Sequence, residues 1–291
     1  MFGIQKNNIT LLRIPFSYFL MPVFLFAISQ AVEINWLHAI ICFFVLHLFI
    51  YPASNGYNSY MDADETSIGG LEKPPLPTKQ LFYISILFDV IGLSLALFVS
   101  LYFFVCILIY MLASRAYSYK GIRLKKYPII WFLTVVFFQG AFTFFMVYKA
   151  VSQQNIEINT NLILVTLACV FLIGGVYPLT QVYQHKADKE SGDITISLKL
   201  GIKGTFIFCA AMFLVSNVLL YFYFQNRDQA NHFILFQLFL FPVVIFFVNW
   251  FLKVLKNESQ ASFKNTMQMN FIASTCMNLF FVVLLIINTI K

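Results

Sequence analysis

Long apolar runs broken by short polar segments dominate the chain, and their lengths say what they are. The first begins near Leu11 and continues past Val32; others follow at 36–57, 81–100, 101–116, 129–150, 162–183, 205–224, 233–255 and 269–290. Each is close to the length that a helix rising about 1.5 Å per residue needs to cross a hydrocarbon core of about 30 Å. The pattern predicts an all-α polytopic membrane protein of nine transmembrane helices, folded as one domain over residues 1–291. Only Ser100 separates the third run from the fourth. The first run is long enough to span rather than to be a cleaved signal.

Two polar stretches interrupt this pattern at helical spacing. Asn58-Ser-Tyr-Met-Asp62-Ala-Asp64-Glu65-Thr66 ends the second run. If its helix continues that far, Asn58, Asp62 and Glu65 share one face at intervals of four and three. Carboxylate and amide oxygens on one face suit Mg²⁺, a hard cation that keeps waters and takes further ligands from phosphate. After the sixth run, Gln181, Gln184 and Asp188 recur at intervals of three and four, with Asp193 just beyond. Acidic residues at helix ends can simply mark the membrane–water boundary, but two such clusters at helical spacing argue against chance placement. They also suggest two duplicated halves whose polar faces meet across a pseudo-twofold axis.

Composition agrees with the pattern: 60% of the 291 residues are hydrophobic and 11% charged, and the mean hydropathy is +0.80. A net charge of +7 in this setting is a topology signal, not a nucleic-acid surface, because a basic patch on a solvated scaffold is missing. With the N-terminus in the cytoplasm, all lysines and arginines except Lys149, Arg227 and Lys291 fall on the cytoplasmic side, together with both polar stretches. The compact termini without a targeting extension suit a bacterial inner membrane. The five cysteines lie inside apolar runs without paired spacing, which indicates neither a disulfide framework nor a zinc site.

Between the two polar stretches, Tyr117-Ser-Tyr-Lys120-Gly-Ile-Arg123-Leu-Lys125-Lys126-Tyr127-Pro128 sets four cations beside tyrosines. Cations next to a metal-bridged diphosphate neutralise charge that Mg²⁺ alone leaves on a departing group. Lys120 and Arg123 are the candidates, with Tyr117 beside them; Lys125 and Lys126 are assigned to topology.

These stretches together resemble the UbiA-type intramembrane prenyltransferase family over nearly the whole chain. Asn58 and Asp62 occupy two places of its first motif, Asn-Asp-x-x-Asp-x-x-x-Asp; Ser59 and Thr66 replace the other aspartates, while Asp64 and Glu65 offer displaced carboxylates. Lys73-Pro-Pro-Leu-Pro77 is similar to the basic-Pro-x-Pro segment that follows, Tyr117-Ser118 through Arg123-Leu-Lys125 to its Tyr-Ser…Arg-Leu-Lys segment, and Arg13 with Pro15 to its first-helix opening. In the second motif Gln181 and Gln184 stand at two aspartate positions and Asp188 at the third, and Gly192-Asp-Ile-Thr195 through Leu200-Gly201 matches its ending.

The resemblance implies a Mg²⁺-dependent transfer of a prenyl group from an isoprenoid diphosphate to a small aromatic or quinone-precursor acceptor. Asn58, Asp62, Asp64, Glu65 and Asp188 would hold the metal. Asn58, Gln181, Gln184, Lys186, Lys189 and Arg13 would bind substrate, and Lys120, Arg123 and Tyr117 would assist ionisation. Glutamine keeps an oxygen ligand without its charge, so the second half binds metal more weakly or hydrogen-bonds the diphosphate. The altered motifs leave open an intramembrane terpene cyclase that needs no acceptor, and a non-catalytic lipid-binding or transport protein. Expected partners are the prenyl diphosphate, a lipophilic or aromatic acceptor and membrane lipid, with no nucleic acid.

Aromatic faces attract a carbocation, and Tyr57, Tyr60, Tyr117 and Tyr119 adjoin the motifs. Asp89, in the middle of a run, either faces the cavity or pairs with a neighbouring helix. His38 and His47 suit helix-to-helix hydrogen bonds, His185 is either a base or an interfacial residue, and Gln139 is a candidate cavity residue.

Overall fold

The computed structural model describes residues 5–119, 121, 127–153 and 157–290. Among them nine helices are long and apolar enough to cross a membrane: α1 (Lys6–Gln30), α2 (Trp36–Asp62), α3 (Lys79–Leu97), α4 (Leu101–Ser118), α5 (Pro128–Val151), α6 (Thr160–Ser191), α7 (Ile196–Gln225), α8 (Ala230–Lys256) and α9 (Phe263–Ile290). They form a ring in which sequence neighbours pack together, α9 returns to α1, and α1 also meets α5 across the bundle. Large apolar side chains such as Leu87, Ile207, Leu214, Leu238 and Phe241 face outward, as an integral membrane protein requires.

The expected break near Ser100 is present, and Ser100 makes it. Its backbone is extended, and its hydroxyl accepts the Phe103 N–H at 3.0 Å, capping α4. Among the helices that depart from the expected boundaries, α1 and α7 show a local cause. α1 starts earlier because buried Asn8 donates to Thr78 Oγ1 at 2.9 Å and to Gln80 Oε1 at 2.8 Å, tying its first turn to the start of α3. α7 starts at Ile196 instead of Thr205 and kinks at Gly201, whose φ of +69° glycine adopts without strain.

Several helices loosen or tighten midway. α2 and α5 contain π-type segments, Phe44–Ile50 and Phe137–Phe142, and Thr143 Oγ1 donates to the Phe138 carbonyl at 2.7 Å inside the second. Gly140 belongs to that segment, and a Cβ there would lie 2.8 Å from the Cys169 carbonyl oxygen, so the backbones of α5 and α6 touch.

The largest buried cluster fills the half of the bundle remote from Asn58 and Asp188, with Phe26 stacked on Phe281 at 4.4 Å between ring centres. Several polar groups in that half are paired. Tyr223 donates to Gln30 at 2.5 Å, Arg227 to Tyr223 at 3.1 Å, and Asn288 to the Ser29 carbonyl at 2.8 Å. The α1–α2 connection bonds to the end of α5 through Asn35 N to Val151 O and Gln153 N to Glu33 O. His38 reaches the Ala150 carbonyl at 3.1 Å, the helix-to-helix bond expected of it. His47 instead sits in an aromatic box of Phe24, Phe43 and Tyr51 with no hydrogen-bond partner for either ring nitrogen.

Asp89 resolves as a helix-pairing residue. It forms an ion pair with Arg115 of α4, which also donates to the Ala53 carbonyl and lays its guanidinium 4.1 Å from the Tyr57 ring centre. Arg115, counted from sequence only as a cytoplasmic-side cation near the end of the fourth run, is inside the bundle, joining α2, α3 and α4.

Candidate functional site

α2 runs regularly over Tyr51–Asp62 and stops there, because Ala63 takes a left-handed conformation (φ 50°, ψ 43°) and returns its N–H to the Ser59 carbonyl at 3.0 Å. The expected helical register thus carries Asn58 and Asp62 but not Glu65, which lies beyond the turn, exposed and off the cavity, while Asp64 turns back into it. Asn58 Nδ2 donates to Asp62 Oδ2 at 2.8 Å and to Ser118 Oγ of α4 at 3.0 Å. Its amide nitrogen is thereby committed and the carbonyl oxygen left for a ligand.

The chain then folds into a short loop closed by the Ile68–Leu71 bridge, with Gly70 at φ +85° making the turn. Arg13 reaches it from α1. Buried, and itself in a left-handed conformation, Arg13 donates to the Gly69 carbonyl at 3.1 Å and to the Asn55 carbonyl at 3.3 Å. It lines the cavity, and these two hydrogen bonds fasten the loop to α2.

The second polar face owes its alignment to a change of helix type. Tyr177–Gln184 is 3₁₀, and its three-residue period sets Gln184 above Gln181; the α-helical turn His185–Ser191 then adds Asp188 four residues on. Gln184 Nε2 donates to the Ser67 carbonyl at 3.1 Å, so this face clasps the loop that follows the first. Gln181 is buried against the cavity, its Oε1 without a hydrogen-bond partner.

Asp188 is aimed by the start of α7. Thr195 Oγ1 donates to Asp188 Oδ2 at 3.2 Å and accepts the Leu198 N–H at 3.1 Å as the helix cap. The tight turn between them uses Gly192 at φ +73°. His185 bonds to Ser197 Oγ at 2.8 Å and does not line the cavity. Lys186 and Lys189 are exposed and also lie off it.

Both faces border one cavity of about 580 Å³. Its rim carries Arg13, Asn58, Asp62, Asp64, Asp188, Glu190 and Asp193, with Tyr117 and Trp131 close to that level, and its inner part Tyr110, Phe138, Gln139 and Tyr177. Tyr117 meets Trp131 edge to face at 5.2 Å. The structure thus brings together Arg13, Asn58, Asp62, Asp64, Tyr117, Gln181, Gln184 and Asp188. Tyr57, Tyr60 and Tyr119 do not line the cavity, and Lys120 and Arg123 lie outside the described residues.

Sequence reasoning passed over Thr195, Trp131 and Tyr177 as site-building residues and gave Asp193 no role. Only Asp193 had a signal, its position just past the second polar face. The oxygen donors are Asn58, Asp62 and Asp64 on one wall, Asp188 and Asp193 on the other. Among the described residues no three His, Cys, Asp or Glu side chains converge into a metal cage. This donor set fits a hard cation that completes its shell with ligand oxygens and water.

A family model described as the UbiA prenyltransferase family matches residues 19–272. Among solved structures, a UbiA homologue from Aeropyrum pernix K1 superposes with a TM-score of 0.71 at 14% identity, covering 93% of this chain and 98% of that one. A UbiA homologue from Archaeoglobus fulgidus, solved with GPP and Mg²⁺, gives 0.67 at 15% identity over 96% and 99%. A structure described as digeranylgeranylglyceryl phosphate synthase gives 0.63 at 19% identity over 97% and 98%. A search of curated proteins gave no significant match.

Proposed function

This chain belongs to the UbiA prenyltransferase family, and from that premise we propose that it transfers a prenyl group from an isoprenoid diphosphate to a small aromatic or quinone-precursor acceptor within the membrane, with Mg²⁺ as cofactor. The observation that carries this reading is the meeting of the α2 and α6 polar faces over one cavity, acidic at its rim and aromatic inside. The Archaeoglobus homologue holds GPP and Mg²⁺ in the same fold, which supports a diphosphate-binding role for the rim. We further assign the N-terminus and the rim to the cytoplasmic side of the membrane, on the lysine and arginine distribution.

In this reading the balanced reaction breaks the bond between the prenyl C1 and the diphosphate oxygen, which leaves with the electron pair; the acceptor forms the new bond and releases a proton. Mg²⁺, when bound, supplies the positive charge that lets a diphosphate sit among carboxylates and leave as an anion. Asn58, Asp62 and Asp64 would hold it from α2 and its loop, and Asp188 and Asp193 from the α6 side. Arg13 adds positive charge at the rim and keeps the loop in place. Gln181 offers its amide to the diphosphate without adding negative charge. Tyr117, Trp131, Phe138 and Tyr177 exclude water and present aromatic faces to the allylic cation. Lys120 and Arg123 follow Tyr117 by three and six residues, and we assign them to the departing diphosphate.

The test is diphosphate release by the detergent-purified protein, using a panel of prenyl diphosphates with and without Mg²⁺ and with and without aromatic acceptors. Release requiring both Mg²⁺ and an acceptor is expected. Release indifferent to the acceptor would replace the transferase with a cyclase, and binding without release would leave a lipid-binding protein.

A further inference from the structure

The cavity is charged only at its mouth. Of its described lining residues, the ionisable acids and bases are Arg13, Asp62, Asp64, Asp188, Glu190 and Asp193, all at the rim. Further in, the lining is polar but uncharged. Two bonds set the levels of α2 and α4. At the rim Asn58 donates to Ser118 Oγ at 3.0 Å, and about one turn deeper Arg115 donates to the Ala53 carbonyl at 3.3 Å. Ser54 and Asn55 on α2 and Ser114 on α4 line the cavity at that second level. Gln139 on α5 lies deeper, beside Phe138, whose ring meets Tyr110 at 6.0 Å. Arg115 is itself paired with Asp89 and does not line the cavity.

The side chains of Ser54, Asn55, Ser114 and Gln139 are half-buried, and none makes a hydrogen bond among the described residues. Other helical hydroxyls here are spent on their own turn. Thr134 donates to the Ile130 carbonyl at 2.8 Å and Thr180 to the Tyr177 carbonyl at 2.7 Å, both on the walls of the same cavity, and Ser85 donates to the Leu81 carbonyl at 2.9 Å. A prenyl chain offers the four uncommitted groups no partner, and covering them with hydrocarbon would cost free energy for each one left dry. They mark room for a polar ligand beside the chain.

We propose that Ser54, Asn55, Ser114 and Gln139 form the acceptor subsite, and that the acceptor is an uncharged ring carrying hydroxyl groups, not an aromatic carboxylate. The proposal rests on the transferase reading above and adds to it the class of acceptor. The amides of Asn55 and Gln139 can accept an O–H and donate an N–H, and the serine hydroxyls can do either. Tyr110 and Phe138 supply ring surface for an aromatic body. None of the described lining at these levels is a lysine or arginine that could neutralise a carboxylate, and an unpaired charge taken out of water costs far more than a hydroxyl.

The test measures binding to the purified protein, with Mg²⁺, first of geranyl thiolodiphosphate alone and then, with that donor analogue saturating, of hydroquinone, its monomethyl and dimethyl ethers, and gentisate, the same ring with a carboxylate. Hydroquinone should bind about 25-fold more tightly than the dimethyl ether, about fivefold for each hydroxyl, with the monomethyl ether between them. Gentisate should bind at least about tenfold more weakly than hydroquinone. Gln139→Leu and Ser114→Ala should each lower the ratio of hydroquinone to dimethyl ether affinity about fivefold and leave donor-analogue affinity within about twofold. Micelle partitioning of each probe is common to all the proteins and cancels in the comparison of ratios.

Equal affinity for hydroquinone and its dimethyl ether, gentisate binding as tightly as hydroquinone, or no binding of any of the four rings to the donor-loaded protein would overturn the subsite and leave the donor site standing. So would an unchanged ratio in both variants. Loss of donor-analogue binding in both variants would give these side chains to the donor and overturn the subsite as well. If the wild type does not bind the donor analogue, the donor reading falls and the subsite with it.

Discussion

The Gln184 amide donates to the Ser67 carbonyl at 3.1 Å across 117 residues of chain, fastening the second polar helix to the loop that follows the first. A glutamine at this place therefore does something an aspartate could not, because a carboxylate has no N–H to offer a carbonyl. The prediction is that Gln184→Ala raises the apparent donor KM roughly fivefold, the worth of one neutral hydrogen bond of about 1 kcal/mol, with a smaller change in kcat. Glutamyl endopeptidase should cut more readily at exposed Glu65 in the variant. Unchanged cleavage and kinetics would show that the clasp holds nothing.

The carboxylates facing each other across the rim should be required together. Asp62→Asn and Asp188→Asn keep shape and lose charge, and each should reduce Mg²⁺-dependent turnover by about 10²-fold, the scale of losing one electrostatic contact to a charge-developing step. Glu65→Gln, beyond the Ala63 turn and off the cavity, should change it by less than about threefold. Steady-state rates across a Mg²⁺ titration check all three.

Thr195 acts on the site through Asp188 and through the cap of α7. Thr195→Ser retains a hydroxyl for both bonds and should keep activity near normal. Thr195→Val loses both, with about 1 kcal/mol of stability from the cap and a roughly tenfold rate loss from the misaimed carboxylate. Rescue by serine but not by valine, read as kcat at saturating donor, separates positioning from bulk.

The Asp89–Arg115 pair should matter for folding rather than for chemistry. Removing one partner leaves a charge inside the bundle, and Asp89→Leu or Arg115→Leu should each cost about 3–5 kcal/mol, whereas the double variant should cost less than either alone. Thermal unfolding in one detergent is the measurement, and additive losses would argue against a coupled pair.

The span pattern was legible because membrane crossing needs a minimum apolar length, and even the Ser100 boundary is a local cap that one hydroxyl can make. The meeting of the two polar faces was legible from their matching spacing. What spacing alone could not show is where a helix stops or changes type. Asp64 takes the cavity position that regular periodicity gives to Glu65, and the 3₁₀ period of Tyr177–Gln184 aligns its glutamines more closely than an α-helix would. Arg115 counted only as a topology charge since a cation near a helix end has no sequence mark of its partner, and Asp89 lies 26 residues earlier. Trp131 and Tyr177 are two aromatic residues among 36 phenylalanines, 15 tyrosines and 3 tryptophans, and only tertiary packing selects them.

Ala63 turns the acidic stretch into something like a reading frame. A left-handed alanine is strained by about 1 kcal/mol, and Ala63→Gly should recover a comparable stability without moving any acid. Deleting one residue between Asp62 and Asp64 would shift the frame and bring a different carboxylate to the rim. Two relatives with the same acids could thus present different ones to a diphosphate, distinguished by a single backbone torsion that no count of aspartates reveals.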